Sequence, residues 1–479
     1  MTPEEFRDAG HRLIDWIADY RTTIDQMPVR AQVAPGEIRN RLPDKPPQQP
    51  ESLDALLNDL RDIIIPGITQ VQHPMHFGWF PSNASLASVL GDITSSGLGT
   101  LGISWESCPA LTEVEQVVCD WLRQLTGLSE QWQGTIHDTA STACLTALLL
   151  AREKTSNYSE SRGGLQAEPR PLIVYTTEEA HSSVTKATLL AGFGKDNLRM
   201  IEVDKDTRAM SPGALVTCIE EDIAGGCQPA AIVASVGSTG VTAIDPVAQI
   251  AGIADEKNIW LHVDAAMAGS AMLLPECRYL WEGVENADSI SWNPHKWMGT
   301  ILDCSLFYVR DPEHLIRVMS TNPSYLRSTV DDEVTQYRDW GIPLGRRFRA
   351  LKLWFHLRLD GPDAIRDRLR RDLDNAKWFA SQVEKTANWQ VLTPVNLQTV
   401  CIRHQPAGLE GEALDAHTLA WVNSINQSGQ AFLSPSLLEN RWMVRVSIGV
   451  EATTREHVKK LWELMQSTAN ECFSNNQGA

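Results

Sequence analysis

Three short runs place reactive side chains just past apolar segments. Asp264 closes Ile259-Trp260-Leu261-His262-Val263 and is followed by the uncharged Ala265-Ala266-Met267-Ala268-Gly269. Lys296 follows Ser291-Trp292-Asn293-Pro294-His295, and His181 lies shortly after a run ending at Thr177. In open α/β sheets ligands bind beyond the carboxyl ends of the strands, so polar residues at such places are the first candidates for chemistry. A lysine and an aspartate at neighbouring strand ends can form a structural ion pair, and on residue types alone that is the simpler reading. His262 shares the face of Asp264, two positions away, and reads as packing rather than as a base.

The same pair suits pyridoxal phosphate. A lysine amine forms a Schiff base with the aldehyde, and an acidic residue keeps the pyridine nitrogen protonated so that the ring accepts electrons. That cofactor needs a phosphate cradle, and Gly134-Thr135-Ile136-His137-Asp138-Thr139-Ala140-Ser141-Thr142 leads into an Ala/Leu-rich helix ending near Arg152. Small hydroxylated residues at a helix N-terminus offer backbone N–H groups to an anion, although they serve equally as caps. Spacing leaves both uses open; the conjunction of all these features favours the cofactor.

Elements must hold these groups. From Leu172 to Val309 the chain alternates short β-rich runs (172–177, 230–236, 259–264, 289–292, 305–309) with helical stretches, the pattern of a largely parallel sheet covered by helices. Runs such as Ala231-Ile232-Val233-Ala234 lack a polar face, as strands buried on both sides do. Before this, Thr2-Pro3-Glu4-Glu5 reads as a capping box opening a helix with apolar residues at Phe6, Leu13, Ile14, Ile17 and Tyr20. A Pro-rich break at 43–50 and a second helix over 53–64 follow. After Gly361 come a long charged helix over 364–384, a strand over 399–403, a helix over 417–426, a strand over 442–448, a last helix over 454–468 and a polar tail that frays. The expected organisation is a helical arm over 1–85, a large cofactor-binding domain over 86–360 and a small α/β domain over 361–479.

Composition narrows the partners. The 479 residues carry 42 Lys and Arg against 60 Asp and Glu, a net charge of −18. That balance argues against nucleic acid and against an anionic membrane surface. No apolar run approaches a membrane span. Nine cysteines without a CxxC pair read as reduced thiols in a cytoplasmic protein.

Four motifs together, Asn293-Pro294-His295-Lys296-Trp297, His262-Val263-Asp264-Ala265-Ala266, Ala180-His181-Ser182-Ser183-Val184 and Gly345-Arg346-Arg347-Phe348-Arg349, resemble group II pyridoxal-phosphate decarboxylases, most like the bacterial aromatic-L-amino-acid (Dopa or tryptophan) decarboxylases. The resemblance runs from Phe6-Arg7 to the strand Val444-Arg445-Val446-Ser447-Ile448. It implies the PLP-dependent transferase fold of type I, a homodimer with exchanged N-terminal helices, and no metal.

Carried over by position, it makes Lys296 the Schiff-base lysine, Asp264 the partner of the pyridine nitrogen and His181 the imidazole stacked on the ring. Ala140 and Ser141 match the phosphate-binding turn, Thr239 a threonine near the cofactor, and Asn293 and His295 further cofactor contacts. Tyr325, in Asn322-Pro323-Ser324-Tyr325-Leu326, matches the donor that protonates the substrate carbon after CO2 leaves; relatives that make aldehydes carry Phe there. Trp79 and Phe80 match the wall of an aromatic pocket, Ser82 a hydroxyl for the substrate carboxylate, and Gly345 an open ring site. Trp79 stands in place of a Tyr, Val71 of a Trp and Ser82 of a Thr. The implied activity is decarboxylation of Dopa, tryptophan or 5-hydroxytryptophan to amines. An aldehyde synthase and an acidic-amino-acid decarboxylase are the alternatives. The latter would need an added cation for the distal acid, and the Trp79-Phe80 wall shows none.

Overall fold

The computed structural model describes residues 1–321, 330–331 and 333–477. Among the described residues eleven strands form two sheets: β1 (Gln133–His137), β2 (Leu172–Thr177), β3 (Leu198–Ile201), β4 (Gln228–Ser235), β5 (Trp260–Asp264), β6 (Ser289–Trp292) and β7 (Ser305–Val309) in one, and β8 (Trp389–Val391), β9 (Thr399–His404), β10 (Ser434–Leu438) and β11 (Arg441–Ser447) in the other. The chain divides into two compact units, Met1–Pro81 with Trp378–Val391 and Cys401–Ala479, and Ser82–Lys377 with Leu392–Val400.

The larger unit holds the seven-stranded sheet, in the order β1-β7-β6-β5-β4-β2-β3. Pairs from β6 through β3 are parallel, while β7 runs antiparallel to both its neighbours. Every residue of β2, β5, β6 and β7 is buried, including the polar face of β6 (Ser289 and Ser291) and that of β5 (His262 and Asp264). The helix Ala140–Thr155 packs Ala143, Ala147, Leu148 and Ala151 with Val174, Val233 and Phe307 of the strands. Burial of each large apolar side chain contributes roughly 1.5–3 kcal/mol, so this face anchors the strand ends firmly. The strands at 172–177, 289–292 and 305–309 fall where the sequence places them. β1 and β3 were not anticipated: β1 was read only as a lead-in to a helix, and β3 is a four-residue edge strand, too short for a periodicity signal.

In the smaller unit the capping box is present, with Thr2 Oγ1 accepting from Glu5 N and Glu5 Oε2 accepting from Thr2 N, and it opens the helix Pro3–Thr23. That helix buries no residue; Phe6 is 65% exposed, Leu13 39% and Ile14 41%. The sheet of this unit has the order β10-β11-β9-β8. The final helix is longer than expected, Arg455–Gln477, so the polar residues from Phe473 to Gln477 continue the helix instead of fraying. All nine cysteines are free, and no described helix is long and apolar enough to cross a membrane.

Buried imidazoles give the fold a pH dependence. Burial is the largest cause that lowers His76, His137, His262, His295 and His404 to about 4 and His356 to about 3. Between about pH 6.5 and pH 4 the unfolded chain therefore binds protons that the folded chain refuses, and stability falls as pH falls through that window. Asp245 and Asp372, raised to about 6 mainly by burial, act with the opposite sign, because the folded chain protonates them first. Six histidines outweigh two aspartates, so urea denaturation should show a lower midpoint at about pH 5 than at about pH 7. An equal or higher midpoint at the acid pH would contradict this balance.

Candidate active site

β5 and β6 are parallel neighbours, and Asp264, the last residue of β5, is in register with Ser291 of β6. Its side chain is 8% exposed, and Oδ1 accepts from Ala266 N at 3.0 Å, which turns the chain sharply after the strand. Past β6 the chain enters a tight turn over Pro294–Met298, where Lys296 takes the non-helical values φ −98° and ψ −113°. The turn is held on several sides. Asn293 N donates to Ala266 O (2.9 Å), and Lys296 N donates to Asn293 O (3.0 Å). The Trp297 indole donates to Asp372 Oδ2 at 3.0 Å, and Arg368 Nη2 donates to the carbonyls of Trp297 and Met298. The Lys296 backbone is thus fixed by its neighbours while its side chain stays partly exposed.

His181 precedes the helix Ser182–Leu190 as its cap, with Nδ1 accepting from Ser183 N at 3.1 Å. The residue is exposed, yet the surrounding protein costs the imidazolium hydration and lowers its pKa. Asp264 acts on it to raise the pKa and Lys296 to lower it, so one imidazole senses both strand-end charges. The same aspartate bears on Cys144, within the helix Ala140–Thr155. These interactions bring Asp264, Lys296, His181 and that helix into one electrostatic neighbourhood of the larger unit.

The helix Ala140–Thr155 starts open. Thr139 makes no side-chain cap, the first turn has no acidic residue, and Ser141 is exposed with Ala140 and Thr142 half-buried beside it. Uncapped N–H groups at the positive end of a 16-residue helix suit a phosphate. The end of β1, just before this turn, is clamped by a buried pair. Glu115 Oε1 accepts from Ile136 N (2.8 Å), Thr135 Oγ1 (2.9 Å) and Arg346 Nη2 (2.6 Å), and Arg346 also donates to Ile136 O (2.9 Å). Glu115 was not anticipated, because it lies 231 residues from its arginine and no spacing signals the pair.

The remaining expected residues fall as follows. Asn293 is buried, with Oδ1 accepting from Ser305 Oγ at 2.6 Å. His295 Nδ1 accepts from Cys304 N at 3.0 Å. Thr239 lies half-buried in the loop after β4, and Ser82 is half-buried. Gly345 is exposed, and a Cβ there would meet nothing within 4 Å. His262 is fully buried between Ser289 Oγ (2.9 Å) and Ser291 Oγ (3.3 Å), in keeping with a packing role. Tyr325 lies outside the described residues. Trp79 and Phe80 belong to the smaller unit, where Trp79 is 52% exposed and packs on Phe432 at 4.8 Å. One expectation is corrected there: the Arg445 guanidinium lies over the Phe80 ring at 5.1 Å, so this wall does carry a cation. Strand β11 delivers it from far along the chain, which is why the local sequence around Phe80 could not reveal it.

The donor set fits pyridoxal phosphate: an amine and a carboxylate at adjacent strand ends, a flat imidazole, and an open helix N-terminus. Residues 35–405 match the family described as "Pyridoxal-dependent decarboxylase conserved domain". The chain is 40% identical to phenylacetaldehyde synthase of Arabidopsis thaliana, over 98% of this chain and 97% of that one. It is 38% identical to tryptophan decarboxylase 2 of Oryza sativa subsp. japonica, over 98% and 95%. The crystal structure of Oryza sativa TDC with PLP and tryptamine superposes with a TM-score of 0.95 at 35% identity, covering 98% of this chain and 99% of that one.

Proposed function

Because this chain belongs to the pyridoxal-dependent decarboxylase family, we propose that it removes the carboxylate of aromatic L-amino acids such as Dopa, tryptophan or 5-hydroxytryptophan, releasing the amine and CO2. The observation that carries this reading is the meeting of Asp264 and Lys296 at adjacent strand ends, both acting on His181. Pyridoxal phosphate, once bound, supplies the electron sink for the pair left behind when CO2 departs.

The chain's own groups do the rest. Lys296 Nζ would hold the cofactor through its aldehyde, Asp264 would keep a proton at the pyridine nitrogen, and His181 would supply an imidazole beside the ring. The helix N-terminus at Ala140 and Ser141 receives the phosphate, with Thr239, Asn293 and His295 as further cofactor residues. Tyr325 hands a proton to the substrate carbon that lost the carboxylate. Trp79 and Phe80 face the substrate ring, Ser82 its carboxylate, and Gly345 leaves room for it. A cytoplasmic homodimer is part of the proposal. The N-terminal helix with its exposed Phe6, Leu13 and Ile14 has an apolar stripe that a second copy would cover.

A second reading, aldehyde synthesis, is favoured by the identity to phenylacetaldehyde synthase; the hydroxyl at Tyr325 weighs against it. The test is product analysis of holoenzyme given tryptophan, Dopa, tyrosine and glutamate. Amine and CO2 in equal amounts from the aromatic substrates are expected. Aldehyde with ammonia, or turnover of glutamate alone, would refute the assignment.

A further inference from the structure

Just before His181 an ion pair of the larger unit ties the imidazole's turn to the loops beside it. Glu178 and Glu179 fill the turn between the end of β2 and the helix Ser182–Leu190, closed by Ala180 N donating to Thr177 O at 3.2 Å. Arg208 holds that turn. Its Nε donates to Glu179 Oε1 at 2.9 Å and its Nη2 to the same oxygen at 2.7 Å, while Nη2 also donates to Glu178 Oε1 at 3.0 Å. The side chains of Arg208 and Glu179 are only 6% and 12% exposed, whereas that of Glu178 is 68% exposed. Exposed pairs contribute little and charge-assisted bonds shielded from water contribute more, so Glu179 is the partner that fixes the turn.

Both ends of the pair reach further. Glu179 Oε2 lies against Gly240, where an added Cβ would meet it at 3.2 Å, and Gly240 follows Thr239 in the loop after β4. On the other side, the segment around Arg208 is tied to β4: Met210 N donates to Asp245 Oδ1 at 2.7 Å, and Asp245 Oδ2 accepts from Ser235 N at 2.6 Å. Arg208 itself adopts φ +61°, although it carries a Cβ. A residue stays in that left-handed region only where the surrounding structure fixes it, and such strain gathers at sites that need exact placement. Here the hydrogen bond from Arg208 N to Asp204 O (2.8 Å) holds the backbone, and the bend delivers the guanidinium to Glu179.

We propose that Arg208 is a positioning residue: through Glu179 it sets where the His181 imidazole stands relative to the Thr239–Gly240 loop, and thereby how firmly and in what orientation pyridoxal phosphate is held. The inference rests on the decarboxylase reading, because His181 and Thr239 are cofactor residues only within it. Without the guanidinium, the Glu179 carboxylate would be left poorly hydrated and electrostatically coupled to buried Asp245. It would turn outward to water and draw the two-residue link to His181 with it.

The test compares holoenzyme of the parent with Arg208→Asn, Arg208→Lys and Glu179→Gln. Asparagine tolerates a positive φ, so Arg208→Asn removes the cation without adding backbone strain. Cofactor release on dilution is followed by absorbance, and the circular dichroism of the bound cofactor is measured at saturation. Release should be about 10- to 100-fold faster in Arg208→Asn, with the dichroism per bound cofactor reduced at least about twofold. Lysine keeps one charged donor and should bring release back to within about threefold of the parent. Glu179→Gln keeps the shape and loses the charge; it should speed release about three- to tenfold with the melting temperature preserved. Unchanged release and dichroism in either Arg208→Asn or Glu179→Gln would overturn the proposal. So would variants that melt lower yet keep the parent's dichroism and release, which would make the pair structural only. A parent that binds no pyridoxal phosphate would overturn the decarboxylase reading and this inference with it, whereas a loaded, amine-producing parent matched by Arg208→Asn would overturn this inference alone.

Discussion

Lys296→Ala is expected to lower amine production by about 10⁴-fold or more, since it removes the amine proposed to hold the cofactor. Borohydride should leave pyridoxal phosphate covalently attached to the parent chain and unattached to the variant. The fold gives a reason to expect a clean result. The turn is pinned by Trp297 on Asp372, by Arg368 on two carbonyls and by Asn293 on Ala266, none of which uses the Lys296 side chain. Because that side chain is partly exposed, its loss opens no closed cavity, and stability should change by less than about 1 kcal/mol. A variant that folds, still fixes the cofactor on borohydride treatment and keeps its activity would remove Lys296 from the mechanism.

Tyr325→Phe is expected to change the product rather than only the rate. With the phenol gone, protonation of the substrate carbon should slow by about 10²–10⁴-fold. The electron-rich carbon then has time to lose electrons to dioxygen, and water completes an oxidative deamination that yields aldehyde, ammonia and hydrogen peroxide. Amine, aldehyde and peroxide measured in one reaction decide the matter. Unchanged amine with no aldehyde would show that the proton comes from elsewhere. The parent chain, which keeps the hydroxyl, should release no peroxide, and this separates it from the aldehyde-forming relative at 40% identity.

Both predictions use residues legible in the sequence, because Lys296 and Tyr325 lie in short runs whose neighbours identify them. Asp264 is readable for a further reason: a mostly apolar strand that ends in a carboxylate puts that group at the sheet's carboxyl edge, whatever the strand order. The buried strands β2 and β7 were equally visible, since a segment covered on both faces is mostly apolar, while β6 (Ser289-Ile290-Ser291-Trp292) was legible only as a short β-rich run. β3, at the edge of the sheet, has only four residues and left no such mark.

The amino-acid order alone determined the candidate groups of the site: an amine, a carboxylate, an imidazole and a helix start suited to phosphate, each recognisable from residues within a few positions. Tertiary structure decided what surrounds them. Glu115 finds Arg346 across 231 residues, Trp297 finds Asp372 across 75, and Arg445 reaches the ring of Phe80 from a strand far along the chain. Such pairs carry no local period, because their distance in space is set by how strands and helices pack and not by their spacing along the chain. A charge shows itself in the sequence, while its burial exists only once the chain has folded around it.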